Sequence, residues 1–60
     1  MKTSELLKLL KEHGIYKIRE GGRHSIYHSP ITGNDFPIHR HNAEVPIGTI
    51  NKILKDAGLK

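Results

Sequence analysis

The sequence contains no cysteine, and none of its apolar runs reaches the ~18 residues of a membrane-spanning helix. The first absence excludes disulfides, thiolate metal sites and a cysteine nucleophile. The second, together with the lack of a signal-peptide pattern after Met1, makes a cytoplasmic protein the expectation. Acidic residues are few and scattered, so we do not expect the carboxylate cluster that holds Mg²⁺ in a two-metal nuclease.

The 60 residues that are present suffice for one domain, and we expect residues 1–60 to form it. A chain of this size buries only ~60% of its unfolded surface. Its core must therefore be aliphatic, or a partner must supply part of it. Ten Lys and Arg against six Asp and Glu give a net charge of +4, with five histidines in addition. This balance favours a polyanionic partner such as nucleic acid.

Glycine and proline divide the chain into five short segments. Apolar residues at i, i+3, i+4 and i+7 predict helices over Thr3 to His13 and Thr49 to Ala57. We expect Thr3 or Ser4 to cap the first helix and Thr49 the second. β-Branched and aromatic residues predict strands over Ile15 to Glu20, His24 to His28 and Asp35 to His39.

The order helix, three antiparallel strands, helix predicts an α+β fold. Gly21-Gly22-Arg23 is typical of a hairpin turn, and Pro37 predicts an edge strand because proline cannot donate to a ladder. Both apolar helix stripes need a surface, so the simplest arrangement packs the two helices on one face of the three-stranded sheet.

The period of two along a strand then predicts which side chains share the other, open face. If Tyr16, Ile18 and Tyr27 face the helices, the open face carries Lys17, Arg19, His24 and His28. Such a face either binds phosphates or is merely solvated. Tyr16 and Tyr27 are either packing residues or platforms for base stacking. His13, at the carbonyl end of the first helix, is interpreted as structural.

Several motifs, taken in order, resemble one family, the HicA toxins of HicBA toxin–antitoxin systems. The resemblance covers nearly the whole chain and is most specific in its last stretch. It is carried by residues 4–10, Gly14, the Gly-x-His motif Gly22-Arg23-His24, Tyr27, the Pro-x-His motif Pro37-Ile38-His39, and residues 46–59. The middle position of Gly-x-His is usually Ser in the family. Arg23 departs from that pattern, which leaves its effect on the rate open.

The resemblance implies a fold like a double-stranded-RNA-binding domain, α-β-β-β-α. It implies the toxin of a type II toxin–antitoxin system, a ribosome-independent endoribonuclease that cleaves mRNA. A HicB-like antitoxin would neutralise it, and no cofactor is implied. The family's catalytic residue is the His of Gly-x-His, which is His24 in this chain.

The residues present fit such chemistry. In RNA transesterification the 2′-OH attacks the adjacent phosphorus and the 5′-oxygen leaves. Histidine suits the proton transfers because its ordinary pKa of about 6.5 lies near neutral pH. We therefore expect His24 to be a general acid or base, with Lys17, Arg19 and Arg23 binding the phosphate.

Two further histidines remain open in role. His28 and His39 are each candidates for an RNA contact, a second proton carrier or a structural hydrogen bond. His39-Arg40-His41 also places two imidazoles on one side of a strand. A zinc site requires three or four ligands, so no metal is expected there.

Two other functions remain open. One is a module that binds structured RNA without cutting it. The other is a degenerate toxin that acts only within a HicB repressor complex and meets DNA indirectly, through the antitoxin. Incubation with RNA separates the cleaving from the non-cleaving functions.

The basic composition generates a test of RNA binding. We expect affinity for RNA to fall as salt rises, by roughly one unit of log–log slope for each phosphate contact. Titrations at several salt concentrations measure that slope. Affinity that ignores salt would contradict a phosphate-binding role for the Lys and Arg residues.

Overall fold

The computed structural model describes residues 1–39 and 44–60, and it confirms the α+β order α-β-β-β-α. The elements are α1 (Thr3–Glu12), β1 (Tyr16–Glu20), β2 (His24–His28), β3 (Asp35–His39) and α2 (Ile47–Ala57). The strands form one antiparallel sheet in the order β1-β2-β3, so the Pro37 strand is at an edge as predicted. Within the described ranges, neither helix is long and apolar enough to cross a membrane.

The core lies between the two helices and one face of the sheet. α1 contributes Leu6 and Leu10, which are fully buried, and α2 contributes Ile50, Ile53 and Ala57. The sheet supplies Phe36 and Ile38, while the residues that alternate with them on β3 are exposed. A clean alternation of this kind means that one sheet face is covered and the other faces solvent. The predicted packing of both helices on one face is therefore confirmed.

The start of α1 differs from the predicted cap. The N-cap is Lys2 rather than Thr3 or Ser4, and Thr3 is buried as the first helical residue. The Lys2 backbone N–H donates to the Glu5 carboxylate at 3.1 Å, so a carboxylate in the first turn replaces the hydroxyl cap. The helix ends at Glu12, with His13 as the C-cap, whose Nδ1 lies 2.9 Å from the Leu9 carbonyl oxygen. This contact agrees with a structural role for His13.

α2 begins two positions before the predicted Thr49. Its N-cap is Pro46, and the Ile50 N–H donates to the Pro46 carbonyl at 3.0 Å. The predicted Thr49 cap is therefore wrong. Gly48 lies inside the first turn of the helix. The predicted end is correct: Gly58 adopts the left-handed conformation with φ 82°.

A β-bulge in β1 changes which residues share a face. β1 begins at Tyr16, one residue after the predicted start, and its pairing with β2 shifts between Lys17 and Arg19. Directly opposed residues of an antiparallel pair share a face, and an extra residue in one strand inverts the alternation beyond it. Lys17 is opposite Tyr27, whose ring packs on the core, whereas Arg19 is opposite Ile26 on the open face. The expectation that Lys17 shares the open face with Arg19 is wrong.

Tyr16, which was expected to face the helices, instead lies on the open face. It is opposite His28, and the two ring centroids lie 5.5 Å apart on the open face. Tyr16 is 52% exposed and Ile18 is 48% exposed. The expectation that these two side chains pack beneath the helices is therefore wrong. Ile15, immediately before the strand, fills that place in the core and is 2% exposed.

The turn between β2 and β3 is attached to the end of α2 by side-chain hydrogen bonds. The buried Ser29 hydroxyl donates to the Ala57 carbonyl at 2.7 Å. Thr32 and Asn34 donate to the Asp56 carbonyl at 2.8 and 3.1 Å. These bonds satisfy carbonyls that a helix C-terminus leaves without partners, and they fix the hairpin relative to the core.

This junction generates a stability test at Gly58. A Cβ there would lie 2.7 Å from Thr32 Cγ2 and 2.8 Å from Ile31 Cγ2, at a φ of +82° that side chains disfavour. We expect Gly58→Ala to lower the free energy of unfolding by at least about 1–2 kcal/mol. Thermal denaturation measures this as a shift of several degrees, since 1 kcal/mol is worth about 4–8 °C in a domain of this size.

Gly48→Ala is the matched control for that test. Among the described residues, no atom outside the helix backbone lies within 4 Å of a Cβ built at Gly48, which is in helix α2. Alanine favours helix over glycine by up to about 1 kcal/mol, so this variant should be neutral or slightly more stable. Equal effects of the two substitutions would contradict a close approach at Gly58.

Candidate functional site

A groove of about 380 Å³ lies where the β1–β2 hairpin meets the open face of the sheet. It is lined by Arg19, Gly21, Gly22, Arg23, His24, Ile26 and Pro37. The Gly21 N–H donates to the His24 carbonyl at 2.8 Å, which closes the predicted hairpin. A Cβ at Gly21 would lie only 3.0 Å from that carbonyl oxygen. The tight turn therefore sets the position of the His24 backbone at the edge of the groove.

His24 is paired with a second histidine across the sheet. His39 is its register partner on β3, and the two ring centroids are 4.2 Å apart with planes inclined by 49°. Both residues are exposed. The sequence left open whether His39 approaches His24, and the pairing of β2 with β3 brings the rings into contact. Two imidazoles side by side on an open face can accept and donate protons at one bound group.

Two arginines supply positive charge to the same groove. Arg19 reaches it from β1, beyond the bulge, and Arg23 from the hairpin turn. Among residues 1–39 and 44–60, no carboxylate forms an ion pair with either guanidinium. Their charge is therefore available to an anion, and the planar guanidinium suits phosphate because it offers paired donors.

Lys17 lies away from this site. Its ammonium is 2.7 Å from the Glu20 carboxylate. It lines a separate groove with Leu7, Tyr27 and His39, and His39 is not among the residues that line the groove of Arg19 and Arg23. Of the three cations predicted to bind one phosphate, the structure thus brings together Arg19 and Arg23 but not Lys17.

His28 occupies the far end of the open face. It lies four residue steps along β2 from His24, a distance of roughly 13 Å. Its Nδ1 lies 2.6 Å from the Asp35 carboxylate, and its ring is the one that contacts Tyr16. Within the described ranges, the histidines of the open face therefore form two separate clusters, one at His24 and His39 and one at His28.

The sequence reasoning missed Asp35 as the partner of His28. The alternation of side chains along β3 could have indicated this pair, because Asp35 and His39 lie on the same face of the strand. Once His28 is opposite Asp35, four steps along each strand bring His24 opposite His39. One register fixes both pairs, but the sequence does not determine that register because the length of the connecting turn alone permits several.

The described residues hold no cluster of three or more His, Asp or Glu side chains arranged for a metal ion. Arg40 and His41, the other members of the candidate His39-Arg40-His41 run, lie outside the described residues. The prediction that no metal binds stays a prediction.

Comparison with known families identifies the chain. The model of the HicA toxin of bacterial toxin–antitoxin systems matches residues 3–59. The chain belongs to the HicA toxin family. It is therefore a toxin of the toxin–antitoxin class. No curated protein and no solved structure matches the chain significantly.

In this HicA toxin, the two family motifs lie in the β1–β2 hairpin and at the end of β3. The Gly22-Arg23-His24 motif forms the turn and the start of β2, and Pro37-Ile38-His39 ends β3. The two motifs are far apart in sequence and meet at the His24–His39 contact. His24 and Pro37, one residue from each motif, line the cationic groove, and neither motif includes His28.

The geometry of this HicA toxin generates a test with a simple anion. We expect inorganic phosphate to shift the NMR signals of Arg19, Arg23 and His24, because these groups share the cationic groove. Arg19→Gln should weaken the response. The control Lys17→Gln should leave it unchanged, since Lys17 is on the other face and is paired with Glu20. Equal losses in the two variants would contradict the bulge-determined placement of the charges.

Proposed function

We propose that this HicA-family chain is an endoribonuclease that cleaves mRNA without the ribosome, with His24 as a general acid or base. One observation supports this most: His24 is exposed in a groove that carries two arginines without carboxylate partners among the described residues. A phosphodiester is the anion that such a groove suits, and an imidazole beside it can move a proton of the 2′-OH or of the leaving oxygen.

Each neighbouring residue has a distinct task in this mechanism. Arg19 and Arg23 bind the non-bridging oxygens and stabilise the negative charge that develops on the pentavalent phosphorus. The Gly21–Gly22 turn carries no side chains, which lets the RNA backbone approach the chain closely there. His28 and His39 contact RNA along the same open face. Lys17 can contact RNA only from the helix side of the sheet, outside the groove that binds the reacting phosphate.

The open face also suits single-stranded RNA. Tyr16 is half exposed there and lies beside His28, roughly 13 Å from His24. Bases of an unpaired strand stack on exposed aromatic rings of RNA-binding sheets. A strand lying along β2 would bring one base to Tyr16 while a phosphate occupies the groove. We place this reaction in the cytoplasm, where mRNA is available.

We also propose that a HicB-like antitoxin neutralises the toxin by covering the groove. Arg19 and Arg23 have no ion-pair partner among residues 1–39 and 44–60, so they offer positive charge to a partner protein, and a carboxylate placed there would compete with RNA phosphate. A complex in which His24 stays accessible to solvent would contradict this mode of inhibition.

The catalytic assignment is tested by His24→Ala. We expect RNA cleavage to fall by about 100-fold or more, the usual contribution of a positioned acid or base, and growth arrest to be lost. Gel analysis of a defined mRNA measures the rate. The wild-type fragments should end in 2′,3′-cyclic phosphate, because the nucleophile is the adjacent 2′-OH.

His13→Ala is the matched control, since His13 lies at the end of α1, away from the groove. It should cleave like the wild type. Full activity of the His24 variant would refute the role of His24. RNA binding by the wild type without any cleavage would instead favour a non-catalytic module.

A further inference from the structure

We propose that His39 is the second proton carrier of the cleavage reaction, acting on the same phosphate as His24. This inference rests on the proposed ribonuclease function and makes it more specific. It assigns a catalytic role to a residue at the end of β3, far from the hairpin that holds His24 in the sequence and adjacent to it in the sheet.

The balance of the reaction requires two carriers. The 2′-O–H bond breaks as the bond from the 2′-oxygen to phosphorus forms, and that proton passes to a base. The bond from phosphorus to the 5′-oxygen breaks, and the leaving oxygen takes a proton from an acid. The products are a 2′,3′-cyclic phosphate and a 5′-hydroxyl, with no water or oxidant consumed. The attacking and leaving oxygens are in line on opposite sides of phosphorus, so one imidazole cannot serve both at once.

Among residues 1–39 and 44–60, His39 is the residue whose ring contacts the His24 imidazole. The ring centroids are 4.2 Å apart, so both imidazoles reach one phosphate. His28 is roughly 13 Å away along β2, and its Nδ1 is held by Asp35. Glu20 is opposite Ser25 on the helix side of the sheet and pairs with Lys17.

The decisive variant is His39→Phe. Phenylalanine keeps an aromatic ring packed against His24 but carries no proton, so it separates proton transfer from mere support of the His24 ring. We expect RNA cleavage to fall by about 100-fold or more. His39→Gln, which keeps polarity at this exposed position, should be equally impaired. Circular dichroism confirms that both variants fold.

A second measurement separates proton transfer from phosphate binding. RNA with one 2′-deoxynucleotide at the mapped cleavage site binds without reacting. Its affinity for His39→Phe should fall far less than the cleavage rate does, because one RNA contact is lost while Arg19 and Arg23 remain. A loss of affinity as large as the loss of cleavage would make His39 a phosphate contact and overturn the proposal.

A modified substrate then assigns the step. Sulfur in place of the 5′-oxygen at the cleavage site leaves as a thiolate and needs no acid. If His39→Phe slows only the normal RNA, His39 is the acid. If it slows both substrates, His39 is the base. Both results support the proposal, whereas wild-type rates on both overturn it.

His24→Ala and His13→Ala in the same assay distinguish this inference from the proposed function. If the wild type does not cleave, or if His24→Ala is fully active, the ribonuclease function itself fails. If the wild type and His13→Ala cleave, His24→Ala does not, and His39→Phe does, only the role of His39 fails.

Discussion

The packing of both helices on a single face of the sheet is the constraint on which the rest of the structure depends. The buried apolar side chains of α1, β3 and α2 form one cluster. In the part of the chain that the structure describes, the two helices both lie on this face and no further element covers the second face of the sheet. The other face therefore remains open to solvent. Its histidines and arginines keep their polar groups accessible at little cost in burial, and the candidate site is a consequence of this one-sided core.

Two local irregularities convert the open face into a site. The bulge between Lys17 and Arg19 inverts the alternation of β1, so Arg19 joins the groove of His24 while Lys17 pairs with Glu20 on the other side. The tight hairpin places Arg23 and His24 at the rim of the same groove. A regular β1 would have kept Lys17 and Arg19 on one face and would have distributed the charge differently.

The register of β2 and β3 is the second determinant of the site, and the far end of the molecule maintains it. Ser29, Thr32 and Asn34 attach the turn between these strands to the last carbonyls of α2. With the turn held, His28 is opposite Asp35 and His24 is opposite His39. The core and the site are thus coupled. The same helix that closes the hydrophobic cluster fixes the hairpin that brings the two histidines together.

The sequence by itself determined the order of elements, the two helix stripes and the hairpin turns, because periodicity and glycine placement are local properties. The motif around His24 also pointed to the family. Helix starts were less well determined: backbone hydrogen bonding around Pro46, rather than the Thr49 hydroxyl, begins α2. Only the tertiary structure decided the bulge, the sides of Lys17 and Tyr16, and the contact of His24 with His39. These depend on strand pairing between distant segments, and period-two patterns do not specify pairing when an open face is polar.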